Sequence, residues 1–154
     1  MNMGLLDETR KRHLLITGTP GIGKTTLLKR LALAFAGVRP AGFYTEEIRK
    51  RGIRQGFRLI SLDGQQGILA HVDMSFSARV GKYRVDILGF EAFLARLDLL
   101  QADSPLVFID EIGKMECLSS QFIKLMRQLK KDGCRHYRFK RRRLYCRGKK
   151  QEGL

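Results

Sequence analysis

No stretch of 18 consecutive apolar residues occurs in the 154-residue chain. That excludes a transmembrane helix by the usual length requirement. The start, Met1 to Arg12, lacks the apolar core of a secretory signal. The expected setting is therefore cytoplasmic, without a membrane partner and with a monomer as the default. Cysteine is scarce: Cys117, Cys134 and Cys146 are odd in number and form no C-x-x-C pair. This argues against a disulfide framework or a zinc knuckle and for reduced thiols. Acidic residues are also short, 15 against 30 Lys and Arg. Much of the imbalance sits in residues 130–154, which hold eleven basic and two acidic residues. Such a block attracts polyanions by counterion release, so nucleic acid is a candidate partner of this tail. There are no internal repeats, and the length suits one domain with a real core.

His13-Leu14-Leu15-Ile16-Thr17 is a short apolar run and reads as a buried strand. The segment Gly18-Thr19-Pro20-Gly21-Ile22-Gly23-Lys24-Thr25-Thr26 follows it. It fits G-x-x-x-x-G-K-[ST], in which glycines let backbone N–H groups wrap around phosphate oxygens. In this pattern Lys24 reaches the β- and γ-phosphates, and the Thr25 hydroxyl is a ligand for Mg²⁺. The next residues, Thr26 to Ala36, space Leu27, Leu28, Leu31, Ala32 and Phe35 as one helix face. Gly37 and Pro40 end it. Strand, glycine loop and helix in this order give the motif its specificity.

Residues 41–72 read as a β-meander, with Asp63-Gly64 as a turn signal. Residues 75–82 read as loop, Tyr83-Arg84-Val85-Asp86 as a short strand, and Phe90 to Leu100 as a helix. A second apolar strand, Leu106-Val107-Phe108-Ile109, ends in Asp110 and Glu111. Ligands bind at the carboxyl ends of strands in open α/β sheets. Asp110 is thus placed to hold Mg²⁺ through water, and Glu111 to polarise a water for attack on a γ-phosphate. Glu116 is an alternative water-positioning carboxylate, and Lys114 a possible phosphate contact. One of Arg79, Lys82 and Arg84 is a candidate to offset transition-state charge. Ser119 to Leu129 reads as an amphipathic helix.

Four blocks in order carry a resemblance. They are the P-loop, then Gly42-Phe43-Tyr44-Thr45-Glu46-Glu47-Ile48-Arg49, then Val80-Gly81-Lys82-Tyr83, then Ile109-Asp110-Glu111-Ile112-Gly113-Lys114-Met115-Glu116. Over about Leu14 to Gly133 the chain resembles the small nucleoside-triphosphatase family of archaea, thermophilic bacteria and animals, the cancer-related nucleoside-triphosphatase type. The resemblance implies Mg²⁺-dependent hydrolysis of ATP, GTP and other NTPs, slow and with little base selectivity. It implies nucleotide binding by Gly18 to Thr26 and by Leu106 to Gly113, with Lys24, Glu111 and Glu116 as catalytic candidates and Thr25 and Asp110 as metal ligands. The implied fold is an α/β, RecA-like three-layer sandwich with a mainly parallel sheet and an inserted β-meander, over residues 1–133.

After Gly133 the pattern departs from that family. Arg135, Arg138 and Lys140 cannot form the apolar strand expected between the acidic-motif strand and the P-loop strand. Residues 134–154 are therefore expected to be a disordered basic tail in place of the family's last strands, as from an altered reading frame or alternative carboxyl end. A destabilised domain with weak or absent hydrolysis is the consequence expected. The competing functions are nucleotide binding without turnover, nucleotide-gated nucleic-acid binding through the tail, and a P-loop small-molecule kinase.

Overall fold

A computed structural model describes residues 14, 16–100 and 106–130. The P-loop helix α1 (Lys24–Ala34) leads through a 3₁₀ turn into β1 (Ala41–Lys50), β2 (Ile53–Ser61) and β3 (Gln66–His71). A short hairpin, β4 (Arg79–Val80) and β5 (Tyr83–Val85), precedes α2 (Ile87–Leu97). Then come β6 (Val107–Ile109), a second 3₁₀ turn at Glu116–Leu118, and α3 (Ser120–Lys130). The six strands lie in the order β4-β5-β3-β2-β1-β6.

Why this is a layered fold follows from β1. Successive side chains of a strand point to opposite faces. Phe43 meets the rings of Phe90 and Phe93 on α2 and Phe122 on α3, with centroids 5.8–6.5 Å apart. Its neighbour Tyr44 meets Lys29 of α1, whose ammonium stands 4.2 Å from the ring. Hence α2 and α3 cover one face and α1 covers the other. The core proper is the Phe43 face, where Phe43, Leu59, Leu69, Val85, Phe90, Phe93 and Phe122 are buried. Edge-on aromatic pairs of this kind add about 0.5–1.5 kcal/mol each beyond area burial.

The α/β class and the inserted meander hold. The sheet among the described residues is mixed rather than mainly parallel: β1–β6 is parallel, and the other four pairings are antiparallel. The cause is local. Arg51 (φ 50°) and Gly52 (φ 77°) supply the positive φ that a two-residue hairpin loop needs, so β1 returns at once as β2.

Three boundaries differ from those read in the sequence. Asp86 caps α2 by accepting from Gly89 N at 2.8 Å, so the helix begins ahead of Phe90. Residues 79–80, read as loop, form β4. The run expected to be a strand at 13–17 has no strand pairing at its described residues 14, 16 and 17, where Leu14 and Ile16 are 82 and 44% exposed. The stripe of α1 follows suit: Leu28 is buried, but Leu27 and Phe35 are exposed. The described sheet stops at β6, so it offers no surface beneath that end of α1. The segment 134–154 lies outside the described residues.

Candidate active site

Two halves of the chain converge at the carboxyl end of β6. The first is the loop at residues 18–23. Gly21 (φ 82°) and Gly23 (φ 99°) adopt the left-handed backbone that side-chain-bearing residues avoid, which lets the loop turn tightly into α1. Gly18 is close-packed instead: a Cβ there would stand 2.9 Å from the Ile22 side chain. No side chain caps the start of α1, and its first turn carries no acidic residue. The orphan N–H groups and positive dipole end of the helix therefore face the loop. Lys24 folds back over it, its Nζ donating to the carbonyls of Gly18 and Thr19 at 3.0 Å each.

The second half is Asp110, which follows β6. Parallel pairing sets Ala41, Gly42 and Phe43 against Val107, Phe108 and Ile109, and Asp110 N donates to Phe43 O at 3.2 Å. Thr25 Oγ1 lies 2.9 and 2.8 Å from the two carboxylate oxygens of Asp110, 85 residues away in sequence. The two residues read as metal ligands are thus brought together. A hydroxyl and a carboxylate are hard oxygen donors suited to Mg²⁺, which is held by few protein groups with phosphates and waters completing its shell. Among the described residues no cluster of three His, Cys, Asp or Glu side chains forms a protein-only metal cage. The donor set fits Mg²⁺.

Glu111 and Glu116 converge on one loop yet differ in surroundings. A Cβ on Gly113 would be 2.8 Å from Glu116 Oε2 and 2.9 Å from Glu111 Oε1, so both carboxylates close on this glycine. Glu116 is 4% exposed and accepts from Gly113 N at 3.0 Å. Burial first, then the neighbouring charges of Glu111 and Asp110, push its carboxyl up to about 7. Glu111 is exposed at the end of β6.

The sign of the Glu116 effect is definite. Its folded value lies above the 4.5 of an ordinary glutamate, so the folded state binds more protons than the unfolded chain between about pH 4.5 and 7. Stability is fully present below that window and falls by about 3 kcal/mol as pH rises through it. Glu116→Gln keeps an acceptor for Gly113 N and removes the charge. We expect its melting temperature relative to the parent to climb from pH 5 to pH 8; a constant difference would place the Glu116 carboxyl in the ordinary range.

Thr45 was missed by motif reading. Its N and Oγ1 approach Asp110 Oδ2 at 3.4 and 3.5 Å. The only signal was its place in the Gly42-Phe43-Tyr44-Thr45 block, which says nothing of what it touches. Conversely, Arg79, Lys82 and Arg84 are not brought to Asp110. They lie on β4–β5, four to five strand spacings across from β6, on the order of 20 Å at the usual strand spacing. Lys82 and Arg84 donate to the carbonyls of Arg54 and Phe76.

A helix N-terminus cradled by glycines and tied by a hydroxyl to an aspartate at a parallel strand end defines a P-loop NTPase fold. Comparison with known proteins carries this further. The family model described as NTPase matches residues 13–135, and the chain belongs to this NTPase family. It is 47% identical over 117 residues to nucleoside-triphosphatase THEP1 of Thermotoga petrophila, covering 75% of this chain and 64% of that protein. It is 43% identical over 130 residues to the cancer-related nucleoside-triphosphatase of Homo sapiens, covering 76% and 68%. The crystal structure of THEP1 from Aquifex aeolicus aligns with a TM-score of 0.63 at 35% identity, covering 73% of this chain and 66% of the other. The solution structure of the human protein aligns with a TM-score of 0.64 at 39% identity, covering 79% and 71%. The chain thus spans just under two thirds of the length of the Thermotoga relative. Among the described residues, no helix is long and apolar enough to cross a membrane.

Proposed function

We propose that this protein hydrolyses nucleoside 5′-triphosphates, ATP and GTP among them, to the diphosphate and phosphate, in a cytoplasmic setting and with Mg²⁺ as cofactor. The observation that carries the reading is the Thr25–Asp110 contact, which joins the phosphate loop to the acidic strand end. The backbone N–H groups of residues 18–26, other than Pro20, hold the phosphate oxygens. Lys24 exchanges the Gly18 and Thr19 carbonyls for the triphosphate and neutralises it. Thr25 and Asp110 would hold the Mg²⁺ ion, which when bound offsets charge on the β- and γ-oxygens. Glu111, exposed beside them, orients and polarises the attacking water. Glu116 packs beneath and fixes the loop through Gly113 N. Thr45 orients Asp110 from β1.

The test is steady-state phosphate release from ATP and GTP with no added acceptor, in Mg²⁺ and in excess chelator, for the parent and Lys24→Ala. We expect Mg²⁺-dependent release that falls more than tenfold in the variant. Release that requires a small-molecule acceptor would instead make the protein a kinase. Release equal in both proteins would remove the P-loop from the reaction.

A further inference from the structure

Beyond the phosphate site, β1 continues past its partner. The register pairs Phe43 with Ile109, the last residue of β6, so Tyr44 to Lys50 extend beyond β6 by about 3.3 Å per residue. The β1–β2 turn therefore stands on the order of 20 Å above the strand end that carries Asp110. The β4–β5 turn projects from the same end, because β3 runs in the direction of β1 and Arg84 pairs with His71 at its finish. The two turns are fastened together. Lys82 Nζ donates to Arg54 O at 3.2 Å, and the rings of Phe57 and Tyr83 meet edge-on at 5.2 Å.

This double turn is strongly basic. Residues 46–58 and 71–84 hold eight Arg or Lys against two Glu and Asp73, whose carboxylate lies 3.8 Å from His71 Nδ1. Both glutamates are already engaged: Glu47 by Arg49 at 2.8 Å and Arg54 at 3.0 Å, Glu46 by Lys29 at 2.6 Å. Among the described residues, no carboxylate lies within ion-pair distance of Lys50, Arg51, Lys82 or Arg84. Like charges gathered on one rim repel. Apolar surface is interleaved with them: Ile53 is 60% exposed and Phe76, beside Arg84, 39%.

We propose that this rim binds single-stranded nucleic acid, its cations meeting the phosphodiester backbone and Ile53 and Phe76 supporting unstacked bases. Cations tracking the backbone beside faces on which bases rest are the general means of gripping a single strand. The site is separate from the phosphate loop, its argument uses none of residues 131–154, and it does not depend on the hydrolysis reading.

The test is anisotropy titration of a labelled 20-nucleotide oligo(dT) with the full chain from 50 to 300 mM KCl. Three proteins are compared: the parent, Lys50→Glu with Arg51→Glu, and Lys124→Glu with Arg127→Glu, a charge-matched pair exposed on α3. We expect the rim pair to weaken binding at least tenfold and to flatten the log–log salt slope by about 1.4, two phosphate contacts on a single strand. The α3 pair should cost less than threefold, and phosphate release should be unchanged in both. Equal losses in the two pairs, or no loss in the rim pair, would overturn the proposal. So would binding of a duplex or competition by poly-glutamate as strong as that of oligo(dT). Should the rim pair misfold, photo-crosslinking of the parent to a 4-thiothymidine oligomer decides. Crosslinks in peptides 49–58 and 76–84 support the site, and crosslinks confined to 130–154 refute it.

Discussion

Glu111→Gln should lower kcat for triphosphate hydrolysis by about 10²–10⁴ while leaving KM within a few-fold of the parent. The range is that of a positioned general base or water-polarising group. The carboxylate stands at the end of β6, next to Asp110 in sequence and open to solvent, where a water can reach it. An amide keeps the shape but cannot take up a proton. Since Glu111 makes no hydrogen bond or ion pair with the phosphate loop among the described residues, nucleotide affinity should survive, and a nucleotide-binding assay separates the two effects. The comparison that gives the result meaning is Glu116→Gln. Glu116 is 4% exposed and hydrogen-bonded to its own loop at Gly113 N. Its amide can keep that bond, so activity at pH 7 should stay within about tenfold of the parent. A kcat loss of 10² or more in the Glu116 variant, with Glu111→Gln active, would exchange the two roles. Sequence alone left both open, because each glutamate follows the acidic strand within a few residues; what separates them is burial.

Much of the site was legible because it is built from local pattern. The glycine loop, Lys24, Thr25 and the apolar run into Asp110 each owe their placement to neighbours within ten residues. The contacts that assemble them are not local. Thr25 reaches Asp110 across 85 residues and Thr45 approaches it across 65, and both depend on the parallel register of β1 against β6. No periodicity reports a register. The α2 start was misplaced for a different reason. Asp86 ends a strand-like run and also caps the helix, and only the Gly89 N–H bond shows which role shapes the chain. Helical spacing in α1 was read as a buried stripe; the helix forms, but burial needs a facing surface, and Leu27 and Phe35 find none among the described residues. Arg79, Lys82 and Arg84 illustrate the reverse error. Basic residues near a glycine fit a phosphate-site role on composition, yet the meander carries them to the opposite edge of the sheet.

Gly42→Ala should be the most damaging single-methyl change in the described fold. Gly42 is buried where β1 first runs beside β6, at φ 134°, a conformation that side-chain-bearing residues rarely adopt. A Cβ there would lie 1.8 Å from Phe108 O, and 2.7 and 2.8 Å from the Phe108 C and N. All three are backbone atoms, so no rotamer change relieves the clash, and β6 itself must move. Backbone strain of about 1–3 kcal/mol adds to an overpacking cost of about 1–3 kcal/mol. Against a total stability of about 5–15 kcal/mol, that is a large share. We expect a loss of about 3 kcal/mol or more, seen as a fall in melting temperature on the order of 10 °C. The functional effect should exceed the stability effect at temperatures where the variant is still folded. Three β1–β6 pairings hold Asp110 level with Phe43, and shifting β6 carries Asp110 away from both Thr25 and Thr45. Mg²⁺-dependent phosphate release should therefore drop more steeply than the folded fraction. Gly64→Ala is the control, since Gly64 also has positive φ (93°) but nothing within 4 Å of its Cβ position. It should lose only the strain component and keep its turnover. Equal melting temperatures for the two variants would mean that β1 and β6 are not held as closely as the Gly42–Phe108 approach requires.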